Sequence, residues 1–258
     1  MARKIPWIGT SWKMNKTRAE ARAFATILEA SPFASTPHAQ PFVIPPFPYI
    51  TEVADILKGT KVKIGAQNMH WADQGAWTGE VSPPMVKDCG AHLVELGHSE
   101  RRTFFNETDE TVALKVAAAV KHGLIALVCI GDTRSEYGAG ATADVLARQT
   151  RYALRDVGKA ARGRVIIAYE PVWSIGEGGV PADPDFANEQ HRRIKAITAE
   201  IVGEPLPVLY GGSVNPLNCC DLAAKPDIDG LFIGRSAWDP SGYIGIIEAV
   251  TAALGEQS

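Results

Sequence analysis

Apolar and polar positions follow two periods along the chain. Short runs rich in β-branched residues recur at 7–12, 42–45, 62–67, 92–96, 125–130, 165–169, 207–210 and 231–233, and each reads as a strand. Between them, apolar residues spaced three and four apart predict helices at 18–28, 111–121, 143–156, 186–201, 217–223 and 243–253, with weaker patterns at 49–57 and 83–87. A run as uniformly apolar as Leu124 to Ile130 is covered on both faces, which implies a parallel sheet wrapped by its crossover helices. Eight strand–helix units without a long linker predict one α/β domain over residues 1–258, a closed (β/α)8 barrel.

Composition narrows the choice. The 258 residues are 46% hydrophobic and 21% charged, enough for a large core, and exclude disorder, collagen and coiled coil. A net charge of −3 argues against nucleic acid or an anionic membrane surface as partner. The start has no apolar segment of the signal type, and no run approaches the roughly 18 apolar residues of a membrane span. A cytoplasmic protein is expected. Cys89, Cys129, Cys219 and Cys220 form no C-x-x-C pair, so reduced thiols are expected and not a zinc site or disulfide framework. An open dinucleotide-binding sheet is the rival fold, and Gly138 to Ala143 does fit G-x-G-x-x-A. That stretch follows polar residues and not a strand, so no organic cofactor is expected.

In such a barrel the chemistry sits just beyond the carboxyl ends of the strands. Those positions hold Ser11 and Lys13, Gln67 and Asn68, His98 to Arg102, Asp132, Glu170, Gly211 to Ser213, and Gly234 with Arg235. Glu170 precedes Pro171, which confines its backbone to extended conformations, and is a candidate general base. Residues 172–181 begin stiff and end glycine-rich, as a hinged lid does, and Gly176 can bring an N–H close to an anion. His98 precedes Ser99, a candidate helix cap. A neutral imidazole at a helix N-terminus can give a proton to a substrate oxygen, because the dipole opposes its own protonation. Neither the H-x-E of zinc deaminases nor G-x-S-x-G is completed here, and no metal is expected. Lys13 can stabilise negative charge on a carbonyl oxygen, and the stretches Gly211-Gly-Ser213 and Gly234-Arg235 suit a phosphate held by backbone N–H groups.

The stretches Ser11-Trp-Lys-Met-Asn15, Gly65-Ala-Gln-Asn68, Thr78-Gly-Glu80, Gly97-His-Ser-Glu-Arg-Arg102, Ala168-Tyr-Glu-Pro-Val-Trp173-Ser-Ile-Gly176 and Tyr210-Gly-Gly-Ser-Val-Asn215 resemble triosephosphate isomerase nearly end to end. The resemblance implies Glu170 as base, His98 as electrophile and Lys13 as oxyanion stabiliser, roles for which that enzyme is itself a standard example. It further implies that Gly176, Ser213, Gly234 and Arg235 hold a phosphate, and that no cofactor is required. The loop 67–80, with Trp71 and Trp77, would pack into a second subunit, carrying Thr78 toward the partner's Lys13 in a homodimer.

Three positions depart from the family's usual residues: Ser11 replaces asparagine, Phe232 replaces leucine, and Gly234-Arg235 replaces paired glycines. A hydroxyl in place of a carboxamide leaves room for one more hydroxymethyl group beside the reacting carbonyl. The stretches 9–16, 67–77 and 230–238 resemble the L-erythrulose-1-phosphate isomerase branch of erythritol catabolism. That resemblance implies interconversion of L-erythrulose 1-phosphate and D-erythrulose 4-phosphate. Ordinary triosephosphate isomerisation is the second reading, and a non-catalytic phosphate-binding barrel the third.

Overall fold

The computed structural model describes residues 5–176 and 179–256. Its eight strands are β1 (Trp7–Ser11), β2 (Gln40–Ile44), β3 (Lys63–Ala66), β4 (Leu93–Leu96), β5 (Ile125–Ile130), β6 (Val165–Tyr169), β7 (Val208–Tyr210) and β8 (Gly230–Ile233). All pair in parallel in sequence order, and β1 closes on β8 with Trp7 opposite Gly230, so the sheet is a barrel without edges. The helices among the described residues are α1 (Arg18–Glu29), α2 (Ile50–Ile56), α3 (Pro83–Asp88), α4 (Ser99–Phe104), α5 (Asp109–Lys121), α6 (Arg134–Gly138), α7 (Thr142–Leu154), α8 (Pro184–Val202), α9 (Cys219–Ala223) and α10 (Pro240–Glu256). None is long and apolar enough to cross a membrane.

Sequence chemistry explains where the longer helices start. Thr17 and Glu20 cap α1 reciprocally, and Thr108 does the same for α5 with Thr111. Asp183 accepts the N–H groups of Asp185 and Phe186 ahead of Pro184, the first residue of α8, and Gly203 closes that helix at φ 89°. On α1 the residues Ala21, Phe24, Ala25 and Leu28 form one buried stripe, so the helix lies against the barrel by that face. The dinucleotide-like glycines fall in the α6–α7 connection, where Gly140 adopts φ 72°, and follow no strand.

The period of two divides each strand between two cores. Val43, Val94, Val128 and Ile167 face the helices in the larger core. Their neighbours Phe42, Ile44, Leu93, Leu127, Cys129, Ile166, Ala168, Leu209 and Phe232 fill the barrel interior. Phe42 and Phe232 stack there with ring centroids 5.8 Å apart. Gly9 makes this possible, because a Cβ at that position would lie 2.3 Å from the Phe42 ring. Two residues beyond Gly9, Leu93 and Ala168 on the same inward face come Ser11, Glu95 and Glu170, so the packed floor gives way to polar groups toward one end.

Candidate active site

That end of the barrel holds a cleft of about 230 Å³. Ser11, Lys13, His98 and Glu170 line one side of it, and Gly176, Gly211 to Ser213, Gly234 and Arg235 the other. The residues singled out from strand ends thus meet around one space, except Ser99 to Arg102, Asp132, Gln67 and Asn68. Asp132 is fully buried behind the site, where it accepts hydrogen bonds from Thr142 Oγ1 at 2.7 Å, Tyr169 OH at 3.2 Å and Trp173 Nε1 at 3.3 Å. Gln67 donates to the Lys13 carbonyl at 2.8 Å and Asn68 accepts from Lys115 Nζ at 2.9 Å. These three support the site without lining that cleft.

Glu170 owes its place to the strands on either side of it. A Cβ on Gly131, after β5, would sit 1.8 Å from the Glu170 carbonyl oxygen, and one on Gly211, after β7, would sit 2.7 Å from Glu170 Cγ. Only glycines leave room for the carboxylate between them. The side chain is buried, and its Oε2 has no hydrogen-bond partner. Burial, and then the charge of Glu95, push its pKa up to about 8, while Lys13 and the Cys129 thiol draw it back. A carboxyl so placed is a base of useful strength near neutral pH.

His98, not Ser99, caps α4: its Nδ1 accepts the Glu100 N–H at 3.1 Å. An acceptor at Nδ1 fixes the ring proton of the neutral imidazole on Nε2. Nε2 lies 3.7 Å from Glu170 Oε2 and 3.9 Å from Glu95 Oε1, so the ring's donor faces the two carboxylates. Burial and the neighbouring Lys13 ammonium hold the ring's pKa well below its ordinary value, which keeps it neutral. Lys13 adopts φ 52°, a left-handed backbone that only a surrounding structure sustains in a lysine, and its Nζ meets Glu100 Oε1 at 2.6 Å.

The sequence reading missed Glu95. It lies inside an apolar run, yet its inward parity on β4, between apolar Leu93 and the strand end, is a signal that a strict period-two count exposes. Buried at 3% exposure with Oε2 unpartnered, it has its pKa raised to about 7 chiefly by desolvation, with Ser11 and Lys13 opposing. Among the described residues, Glu95, His98 and Glu170 form the one cluster of metal-ligand types, with an atom of each within 4.8 Å of the others. The same unfilled acceptors and imidazole donor suit the hydroxyl and carbonyl groups of a sugar.

The stretch predicted as a lid is tied to the barrel at Ser174 and Ala182. Ser174 Oγ accepts the Ser213 N–H at 3.1 Å and meets Tyr210 OH at 3.4 Å, and the Ala182 N–H donates to Tyr210 OH at 3.3 Å. The Ser213 N–H therefore reaches an anion only by leaving Ser174. Gly176 takes φ 83°, which favours glycine, and of the predicted lid Glu177 and Gly178 lie outside the described residues. Gly234 and Arg235 open a short 3-10 helix at the rim. Thr78 stands apart on an exposed turn of the 67–80 loop, in which His70 stacks on Trp71 at 4.0 Å and lies tilted against Trp77 at 4.3 Å.

Known proteins match nearly the whole chain in sequence. The family model described as triosephosphate isomerase matches residues 6–250. The chain is 57% identical over 242 residues to the L-erythrulose-1-phosphate isomerase of Brucella abortus biovar 1, covering 93% of this chain and 94% of that one. It is 55% identical to the protein of that name from Rhizobium etli, covering 98% and 96% of the two chains. With the Mesorhizobium japonicum protein of that name the identity is 54%, over 98% and 100%. The barrel, the polar floor at one end of its strands and these matches agree: the chain belongs to the triosephosphate isomerase family.

Proposed function

We propose that the chain is a cofactor-independent sugar-phosphate isomerase interconverting L-erythrulose 1-phosphate and D-erythrulose 4-phosphate through an enediolate. The observation that carries this reading is the convergence of Glu170, His98 and Lys13 on one cleft beside glycine loops, in a chain 54–57% identical to isomerases named for that tetrulose phosphate. Glu170 takes the proton from C3 of L-erythrulose 1-phosphate. The charge that develops on the C2 oxygen is met by His98 Nε2–H and by Lys13 Nζ, once Lys13 leaves Glu100. The C3 hydroxyl proton passes to the C2 oxygen by way of His98 Nε2, and Glu170 returns its proton to C2 as the C3 oxygen becomes the carbonyl. The reaction is internally balanced, since one carbon is reduced as its neighbour is oxidised.

In this reading Gly176, Ser213, Gly234 and Arg235 take the phosphate through backbone N–H groups, and the lid keeps water from the enediolate. The active form is a homodimer. Lys13, Met14, Phe47 and Phe105 line a second hollow beside the cleft, and Met14 and Phe105 are exposed apolar side chains, a fit for the Thr78 turn of the partner subunit.

Side-by-side kinetics test the substrate. With L-erythrulose 1-phosphate the expected kcat/KM exceeds that with dihydroxyacetone phosphate by about 10²-fold or more, the discrimination available to a site that binds an additional hydroxyl. Equal or better turnover of the triose overturns the assignment in favour of ordinary triosephosphate isomerisation.

A further inference from the structure

We propose that Glu95, with Ser11 beside it, selects the four-carbon substrate: a Glu95 carboxyl oxygen accepts a hydrogen bond from the terminal hydroxymethyl group of the tetrulose phosphate. The proposal rests on the tetrulose reading above and names the residue that enforces it.

Glu95 points inward from β4 at the level of Ser11 and Glu170, is 3% exposed, and has an Oε2 without a hydrogen-bond partner. A buried carboxylate oxygen left unpaired is unfavourable, and it calls for a donor that arrives with a ligand. Room for that donor exists. Ser11, Lys13 and His98 line both the main cleft and the adjoining hollow of about 210 Å³ that Glu95 lines, so Glu95 sits where the two meet. Oxygens of Glu95 and Glu170 lie within 4.8 Å of each other. Two acceptors that far apart can serve neighbouring atoms of one small molecule.

The substrate's geometry matches. Glu170 must reach the proton on the carbon that bears the extra CH₂OH group, so that group lies one bond away from the point of attack, among the neighbours of Glu170. Ser11, the short residue inward on β1, hydrogen-bonds Glu95 and lines both spaces. A triose carries only hydrogen there and leaves Glu95 unsatisfied, which is how a site built for a hydroxyl rejects the analogue lacking it. Orientation of His98 does not account for Glu95. The 3.9 Å between Glu95 Oε1 and His98 Nε2 is too long for a hydrogen bond, and the ring is already held by the Glu100 N–H on Nδ1.

Glu95→Leu and Glu95→Gln test the proposal, with kcat/KM for L-erythrulose 1-phosphate and dihydroxyacetone phosphate measured in each. Binding of two inert ligands, a tetritol phosphate and glycerol 3-phosphate, is measured by calorimetry. Measured at a pH above the acid limb of Glu170, where the effect of Glu95 on the base no longer enters, Glu95→Leu is expected to lose about 10²-fold or more in kcat/KM for the tetrulose, with the triose changed by less than about fivefold. Its preference for the tetritol ligand should collapse in parallel. Glu95→Gln keeps an acceptor oxygen and should recover about tenfold of the loss. Equal losses on both substrates, or an unchanged ratio of inert-ligand affinities, overturn the proposal and assign Glu95 to the catalytic scaffold. If Glu95→Leu does not fold, the substrate ratio and the ligand ratio of Glu95→Gln decide: a ratio equal to wild type overturns it. Failure of the tetrulose reading itself is seen separately, as wild-type preference for the triose, and takes this proposal with it.

Discussion

Glu170, Glu95 and His98 put two carboxyls and a neutral imidazole in one dry corner, and burial shifts the acidity of all three. Glu170 stands at about 8, held up first by burial and next by the charge of Glu95. A base must be deprotonated to act, so kcat/KM is expected to rise with pH on an acid limb near 8 and not near the ordinary carboxylate value of 4.5. Because the Glu95 charge raises the Glu170 value, Glu95→Gln should move that limb to lower pH. A pH–rate profile of the two proteins checks it, and a limb that stays put or moves upward contradicts it. Glu170 was legible in the sequence because it stands directly beyond an apolar run and ahead of Pro171. Glu95 was not, since a run that reads as apolar hides one inward carboxylate unless each position is assigned to a face. The His98 cap was missed for a related reason: a histidine ring nitrogen can cap a helix, yet serine is the commoner residue there, so Ser99 drew the assignment.

The strands place the base as much as the base's own residue does. Glu170 fits between Gly131 and Gly211, one on each neighbouring strand connection, and the two glycines differ in what a methyl group would strike. At Gly211 it meets the movable Glu170 side chain at 2.7 Å, whereas at Gly131 it meets Glu170 backbone at 1.8 Å. Gly211→Ala is therefore expected to keep the fold while lowering kcat by about 10²-fold through displacement of the carboxylate. Gly131→Ala should instead lose stability, by about 1–3 kcal/mol or more, as overpacked interiors do. Thermal melts and kinetics on both variants separate the two outcomes, and wild-type kcat in Gly211→Ala would contradict this account of how Glu170 is held. All eight strands and the longer helices were readable from periodicity. The five-residue helix α6 was not, because its single turn begins at a Thr133–Glu136 capping box and buries no residue, leaving no apolar period to count.

At the scale of the molecule, barrel closure brings together residues far apart in sequence: Lys13 beyond β1, His98 beyond β4, Glu170 beyond β6, and the glycines beyond β7 and β8. The packed floor of Phe42 and Phe232 closes the barrel below them, and the site adjoins the hollow beside Lys13. Such an enclosure keeps water off the enediolate carbons, so protons reach and leave carbon through the Glu170 carboxyl, whose own proton exchanges with solvent. Isomerisation of L-erythrulose 1-phosphate in D₂O tests the proton path most directly. The account predicts deuterium at the carbon beside the carbonyl of D-erythrulose 4-phosphate, delivered by the exchanged carboxyl of Glu170, and a fall in kcat of roughly 10²–10⁴-fold in Glu170→Gln. Product formed without any label in it or in recovered substrate, or formed by Glu170→Gln at the wild-type rate, would contradict it.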